Sequence, residues 1–496
     1  MEDHERQARA AVDYLEAIVA DRGVLASIDQ ELRMRLLKAA GLISRPSRTE
    51  QRLFRRAERN LRKKQRREAD EQVLETSTIR RKRAAPVFAT PSRDAPRELL
   101  PETEATAGPE PTSELHSARN CYVCKVKYTK LHHFYDHLCV DCGELNLERR
   151  RRTCDLSGRT ALITGARVKI GYQAAIKLLR AGARVLVTTR FPNDAARRYA
   201  AEEDFSQWGH RLAIHGLDLR HTPSVQLFCR ELLEHEPRLD FIINNACQTV
   251  RRPAGFYGHL METERRPELL SEDALQLVAR SGIAPQSADV PAMLGAASSA
   301  ELSQIPLLPE DEDTSMRLFP AGMLDADEQQ IDHRKVNSWR LLLDEVPAVE
   351  LLEVHLVNAV APFILNGQLK ALMMRTPERD KHIVNVSAME GQFYRTFKTP
   401  RHPHTNMAKA GLNMLTRTSA PDYVRDGIHM NSVDTGWVTD EDPIELAQHK
   451  REVDGFHPPL DIVDGAARIV DPIIHGQLTG EHVWGRFLKD YTSTDW

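Results

Sequence analysis

Large net charge is missing from this 496-residue chain: 68 Lys and Arg set against 71 Asp and Glu leave only −3. That balance excludes a global electrostatic address, so any affinity for nucleic acid or an anionic surface has to be local. The opening residues, MEDHERQARA, contain no apolar stretch, which argues against a secretory signal. Nor does an uninterrupted apolar run approach the roughly 18 residues that span a bilayer, so no membrane partner is expected. Cysteines are few. Of the seven present, four fall in two CxxC pairs, a pattern that suits bound metal in a reducing compartment better than a disulfide framework. These exclusions predict a soluble, cytoplasmic protein. The length points to several domains, and the 41% hydrophobic content to a sizeable core.

Residues 4–40 show helical apolar spacing (Ala11, Tyr14, Leu15, Ile18, Val19, then Leu25, Ile28, Leu32, Leu36, Leu37), with Asp21-Arg22-Gly23 separating two helices. From Arg52 to Lys64 the chain turns strongly basic, and Arg80-Arg81-Lys82-Arg83 forms a second cluster. Two readings stay open for this helical, basic region, residues 1–83. One is a salt-sensitive contact with a nucleic-acid or acidic protein partner. The other is a solvated helix face, because Glu58, Glu68, Asp70, Glu71 and Glu75 are interspersed and Phe54 is the one aromatic residue among them. Residues 84–116 hold six prolines (86, 91, 96, 101, 109 and 111) and too little apolar surface to offset the entropy of ordering, so they read as a linker.

Cys121 and Cys124 are followed, after fourteen intervening residues, by Cys139 and Cys142. Two such knuckles bring four thiolates within reach of one tetrahedral ion, most commonly zinc. Residues 117–150 are too few to form a core of their own, so the metal would supply most of their stability. A redox dithiol or an iron–sulfur site is the alternative. With four cysteines present, His132 and His133 read as packing or surface residues.

From residue 155 to the end the pattern alternates between strand and helix. Strand-like runs are TALITG (160–165), ARVLVTT (183–189), LAIHGLDL (212–219), DFIINNA (240–246), HIVNVSA (382–388) and HMNSVDTG (429–436), with a last candidate near HVWG (482–485). Helical segments between them predict an α/β domain, a doubly wound parallel sheet of Rossmann type. Residues 251–345 interrupt the alternation and read as a long insertion over or beside the cleft. At the first strand-to-helix junction, Thr164-Gly165-Ala166-Arg167-Val168-Lys169-Ile170-Gly171 is a Gly-rich turn whose amides can approach a pyrophosphate at a helix N-terminus. The second strand ends in Thr188-Thr189-Arg190, with no carboxylate to hold a ribose 2′-hydroxyl. Arg190 and Arg167 offer guanidinium forks for a 2′-phosphate, which favours NADP over NAD.

With these motifs in order, the chain from about residue 158 to 496 resembles the short-chain dehydrogenase/reductase family. The family's TGxxxGxG turn reads TGARVKIG here, with Lys169 in place of the middle glycine. The resemblance implies that Gly165, Ile170 and Gly171 cradle the cofactor, that Asp218 with Leu219 holds the adenine amino group, and that Asn245 and Ala246 line the cofactor. It implies further that Gly436, Val438 and Thr439, in a PGxxxT-like stretch where Thr435 replaces the proline, meet the nicotinamide. For chemistry it implies carbonyl reduction or its reverse: Ser387 orients the substrate oxygen, Lys409 holds the nicotinamide ribose, and Asn358 anchors a relay water. The family's proton-donating tyrosine sits four residues before the lysine, and this chain has Thr405 there. An aliphatic hydroxyl is far too weak an acid for the task. Tyr394 is the leading replacement, with His402 and His404 nearby; a water or the substrate itself is another source. The expected activity is therefore an NADP-dependent oxidoreductase with an atypical site and a small-molecule substrate. The alternative is a catalytically silent nucleotide-binding sensor or scaffold. Related folds often form dimers or tetramers through helices flanking the sheet, but the extra domains could block those surfaces, so a homo-oligomer is one open state among others.

Overall fold

The computed structural model describes residues 2–84, 113–279, 298–313, 315, 317–325, 327–394 and 398–496. Residues 1–72 form one compact unit and residues 73–496 another. In the first unit, α1 (Glu2–Ala20) leads to a 3₁₀ turn, Arg22–Ser27, started by the Asp21 carboxylate, which accepts from Gly23 N at 2.7 Å. Next come α2 (Gln30–Ser44), N-capped by Asp29, and α3 (Arg48–Glu75). The break between the first two helices falls where the sequence placed it. Their apolar stripe, however, is not a core. Among the described side chains of α1 and α2 only Ile18 is buried, while Val19 and Ile43 are each 80% exposed.

The second unit opens with α4 (Thr78–Ala84), the antiparallel hairpin β1 (Glu114–Asn120) and β2 (Lys127–Lys130), and α5 (Val140–Arg151), which together carry the four cysteines. Two boundaries read from the sequence move here. Ile79 N donates to Phe134 O at 2.9 Å, and the Arg80 guanidinium pairs with buried Asp136 at 2.5 Å. The start of the second basic cluster is thus built into the cysteine module instead of belonging to the N-terminal region. Glu114–His116, read as linker, begin β1; the linker's residues 85–112 lie outside the described residues.

The remaining strands, and the remaining α-helices of eight or more residues, are β3 (Thr160–Thr164), α6 (Lys169–Arg180), β4 (Arg184–Thr189), α7 (Pro192–Ala200), β5 (Leu212–Gly216), α8 (Thr222–His235), β6 (Phe241–Asn244), α9 (Ala254–Arg265), α10 (Glu272–Ala279), α11 (Ala348–His355), α12 (Ala361–Met373), β7 (Lys381–Ser387), α13 (Pro403–Tyr423), β8 (Ile428–Asp434), α14 (Ile444–Asp454), α15 (Ile462–Thr479), β9 (Phe487–Lys489) and β10 (Thr492–Thr494). The strands make one sheet in the order β10-β9-β8-β7-β6-β3-β4-β5. Every pairing is parallel except β9 with β10. The central strands are buried along their whole length between two helical layers, including polar residues of β7 and β8 such as Asn385, Asn431 and Ser432. One layer of α6, α7, α10 and α15 closes over Ile163, Val187, Val384 and Val433; the other, α8, α12 and α13, closes over Leu162, Ile242, Ile383 and Met430.

HVWG is not a strand. Gly485 turns there with φ +64, so the chain enters the sheet only afterwards, at Phe487. The stretch Ala348–Met373 is long and apolar enough to cross a membrane. Here it layers against the sheet through Leu365, Leu369 and Leu372, with Glu350, Glu353, Asn358 and Asn366 buried along it. Of the insertion, Arg251 ties it down from within: its guanidinium pairs with Asp311 at 2.5 Å and with Glu353 of α11 at 2.9 Å.

Candidate active site

A cleft of about 1250 Å³ opens at the C-terminal ends of the parallel strands, where open α/β sheets take ligands. Its floor starts at the Gly-rich turn. Gly165 sits at φ +68, and a β-carbon there would lie 2.8 Å from Ala246 Cα. One on Gly171 would lie 2.4 Å from Gly165 O, so both glycines are enforced by close backbone approach. Lys169 occupies the left-handed region as well, at φ +57. The turn therefore keeps the geometry of a middle glycine while carrying a lysine into the cleft. Asn245 clamps it, donating to Thr164 O at 3.1 Å and Gly165 O at 3.0 Å, and Thr164 Oγ1 accepts from Ala246 N at 3.0 Å.

Arg167, in the turn after β3, and Arg190, after β4, part ways. Arg167 is buried, its fork spent on Asp194 at 2.6 Å and on Gln329 of the insertion at 2.7 Å. Burial lowers its pKa against the pull of Asp194. Arg190 lines the cleft and donates to Tyr257 Oη at 2.6 Å. Burial works against ionising the Tyr257 phenol, but Arg190 and Arg167 together bring its pKa below the ordinary value. Asp218 lines the cleft with its carboxylate gripped by Arg220 at 2.6 Å, and Leu219 lies beside it. Burial opposes the ionised form of Asp218, and the bonds from Arg220 overcome it, holding the carboxyl below its usual range.

Ser387, Thr405 and Lys409 line the same cleft. Ser387 Oγ and Thr405 Oγ1 are both buried without a hydrogen-bond partner, and Lys409 Nζ donates to Val386 O at 2.7 Å. An orphaned buried hydroxyl is costly unless something comes to satisfy it, so this pair marks where a polar ligand atom belongs. Asn358 sits in a π-turn, Leu356–Val360, and its amide pairs with the Gln248 backbone, accepting from N at 2.8 Å and donating to O at 3.3 Å. It braces the loop after β6. Tyr394 is a correction to the sequence reading: it is 75% exposed and is not among the cleft-lining residues, because the chain after Gly391 turns outward. His404 pairs with Glu350 behind the cleft, whereas His402 lines it, stacked on Trp339 of the insertion at 3.9 Å.

Gly436, Val438 and Thr439 line the far side. Asp434, at the end of β8, completes this wall, and sequence reasoning did not single it out as a functional group. The 251–345 segment supplies Tyr257, Gln329 and Trp339 to the lining, as an insertion beside the cleft would.

The cysteine module abuts this wall. The four Sγ atoms lie within 4.8 Å of one another, and Cys124 Sγ is 3.7 Å from Cys139 Sγ. A tetrahedral ion with bonds of about 2.3 Å to sulfur requires edges of about 3.8 Å, close to the length of the Cys124–Cys139 edge. Tyr122, between the first two cysteines, accepts from Trp437 N at 2.9 Å and reaches the cleft with Lys125. Val438, Leu460 and Ile170 share the module's apolar core with Tyr135 and Leu138.

A strand-end cleft, a Gly-rich turn and a serine–lysine pair on adjoining elements define a dinucleotide-binding oxidoreductase fold. The short chain dehydrogenase model matches residues 159–260, and the enoyl-(acyl carrier protein) reductase model of the same type matches residues 342–454. The chain belongs to the short-chain dehydrogenase/reductase family. An uncharacterized protein of Acanthamoeba polyphaga mimivirus is 32% identical over 369 residues, 72% of this chain and 72% of that one. Retinol dehydrogenase 14 of Mus musculus is 36% identical over 143 residues, 24% of this chain and 42% of its own, so the match spans less than half of that enzyme. Among solved structures, ElxO with NADP bound aligns with 67% of this chain and 96% of its own at 15% identity, TM-score 0.41. RhlG of Pseudomonas aeruginosa in complex with NADP aligns with 68% and 95% at 17% identity, TM-score 0.41.

Proposed function

We propose that this protein is an NADP-dependent oxidoreductase that interconverts a carbonyl and a hydroxyl group on a small molecule, through a site lacking the usual tyrosine. The observation that carries this reading is the orphaned Ser387 hydroxyl, buried in the same cleft as Lys409 and the Gly165–Gly171 turn. A nicotinamide dinucleotide in this cleft supplies two electrons and a hydrogen to the carbonyl carbon. The turn and Lys169 meet its phosphates, Lys409 meets the ribose, and Ser387 donates to the substrate oxygen. Arg190, held by Tyr257, is the cation available for a 2′-phosphate, because Arg167 is consumed by Asp194 and Gln329. The four cysteines hold a structural zinc ion, whose closed ligand set leaves no position for substrate.

Mixing the protein with NADPH and a panel of aldehydes and ketones tests the reading. Cofactor oxidation at a rate well above background is expected, with Ser387→Ala reducing it about 10²-fold or more, the range for loss of one donor to the reacting oxygen. Arg190→Ala is expected to raise KM for NADPH and leave that for NADH nearly unchanged. Saturable NADPH binding with no turnover across the panel would instead favour a nucleotide sensor.

A further inference from the structure

Thr405 leaves the site without an obvious acid, and the sheet itself brings one to the vacant role. Ser387 and Asp434 are the last residues of β7 and β8, and they are direct register partners. Neighbouring strands lie about 4.8 Å apart, and paired residues project to the same face. Which face is set by the packing. Ile383 and Asn385 precede Ser387 at alternate positions, and Met430 and Ser432 precede Asp434 likewise. Ile383 and Met430 enter the core under α13, while Asn385 Nδ2 and Ser432 Oγ both bond Thr416 Oγ1 of that helix at 2.8 Å. The helix carrying Thr405 and Lys409 therefore covers the face to which Ser387 and Asp434 point. Asp434 is 5% exposed and lines the cleft. Among the described residues its hydrogen bond is from Gly436 N, to Oδ1 at 3.2 Å.

We propose that Asp434 donates the proton to the substrate oxygen held by Ser387, replacing the family's tyrosine. This rests on the carbonyl-reducing reading above. The Asp434 O–H bond breaks and an O–H bond forms on the substrate oxygen, while the electron pair and hydrogen for the carbon come from the reduced nicotinamide. The carboxylate left behind regains its proton from water through the open cleft. In alcohol oxidation the same carboxylate takes the proton.

The surroundings of Asp434 suit an acid working near neutral pH. Burial pushes its carboxyl up to about 6, assisted by Glu390 after β7 and opposed by Lys489 of β9 and Arg468 of α15. The Tyr122 phenol faces it from the cysteine module and stays protonated, being raised by burial and by Asp434 itself. Lys409 faces the cleft from α13. The other candidates fit less well. Burial lowers the pKa of His402, leaving its ring neutral at pH 7, and its face is occupied by Trp339.

The experiment compares wild type, Asp434→Asn and Asp434→Glu in NADPH-dependent carbonyl reduction from pH 5 to 9. In the cofactor-free proteins, carbon-13 NMR follows the titration of the aspartate carboxyls. Wild-type kcat should fall as pH rises through about 6, and a carboxyl resonance titrating there should vanish in Asp434→Asn. Asp434→Asn should lose 10²- to 10⁴-fold in kcat, the worth of a positioned acid, and lose the pH limb while still binding NADPH. Asp434→Glu should recover part of the rate with a displaced limb. Retention of the rate within twofold and of the same limb in Asp434→Asn would overturn the proposal and leave the oxidoreductase reading intact. So would a loss confined to Tyr394→Phe. Wild-type protein that binds no NADPH, or reduces nothing on the panel, would overturn both.

Discussion

Lys169 shows how a single residue can carry both strain and use. Its φ of +57 is a conformation that L side chains adopt at a cost of roughly 1–2 kcal/mol and glycine adopts freely. Lys169→Gly should therefore raise stability by up to about 1 kcal/mol, part of the relief being offset by the greater entropy of an unfolded glycine. Urea denaturation checks this. The same variant should weaken NADPH binding, because the ammonium is removed from the cleft; unchanged or tighter binding would show that the lysine meets no phosphate. Thr405 permits the reciprocal test. Thr405→Tyr restores a phenol one helical turn from Lys409, on the same face. Added to Asp434→Asn it should recover at least tenfold of the lost kcat, with the pH limb moved upward toward a phenol's range. At this scale the sequence was informative wherever a motif is contiguous. Ser387, Lys409, Asn245 and the glycines could be placed because their neighbours in the chain are their neighbours in the site. Asp434 could not, because its relation to Ser387 is a strand register between segments distant in sequence. Tyr394 misled for the converse reason: closeness in sequence to Ser387 says nothing about which way the loop turns.

Among the elements, the central strands were legible as short β-rich runs alternating with helical segments, whereas β9 was displaced from the predicted HVWG by the left-handed Gly485. The insertion was legible in its extent but not in its internal structure, since ion pairs such as Arg251 with Asp311 and an apolar cluster of Phe256, Leu260 and Met261 with Ala300 and Phe319 join segments distant in sequence. The strand edge opposite the cleft carries a consequence of its own. His382 at the start of β7, His429 at the start of β8 and His482 before β9 gather there, with His382 Nε2 2.9 Å from His482 Nδ1 and the His429 and His482 rings stacked at 4.7 Å. Burial lowers the pKa of all three, and each is opposed further by a neighbouring imidazole or cation. Their folded values thus lie below the unfolded value of about 6.5. The unfolded chain then binds protons that the native edge refuses, so stability is fully present above about pH 6.5 and is lost as pH falls below it. Urea midpoints measured from pH 7.5 to 5 should fall with pH, and His382→Gln should flatten that slope. A slope unchanged by this variant would assign the acid sensitivity to other groups.

Over the whole 73–496 unit, the cysteine module behaves as a wall of the cleft and not as an appendage. Arg150 of α5 reaches Asp461 at 2.6 Å and Asp464 at 2.8 Å, at the start of α15, and Tyr135 Oη donates to the same Asp464 at 2.6 Å. All four side chains are buried. Arg150→Met would strand two carboxylates in the interior, a loss of about 3–5 kcal/mol for a broken buried pair, readable as a large drop in melting temperature. Metal held by the four cysteines would enter the same chain of contacts from the other end. Cys121, Tyr128 and Leu138 share one apolar cluster with Val438 and Leu460, against which Ile170 of the cofactor turn also packs, and Tyr122 bonds Trp437 N. Zinc held by the knuckles would thus fix the loop after β8 that forms the cleft's far side. Cys139→Ser should release the ion, seen by native mass spectrometry. Hydrogen exchange should then quicken over residues 435–442 as well as over the module, and NADPH affinity should weaken severalfold although no cysteine of the cluster lines the cleft. Full loss of zinc with unaltered NADPH affinity and unaltered exchange at 435–442 would mean that the module only sits against the oxidoreductase domain, and that Val438 and Trp437 hold their positions without it.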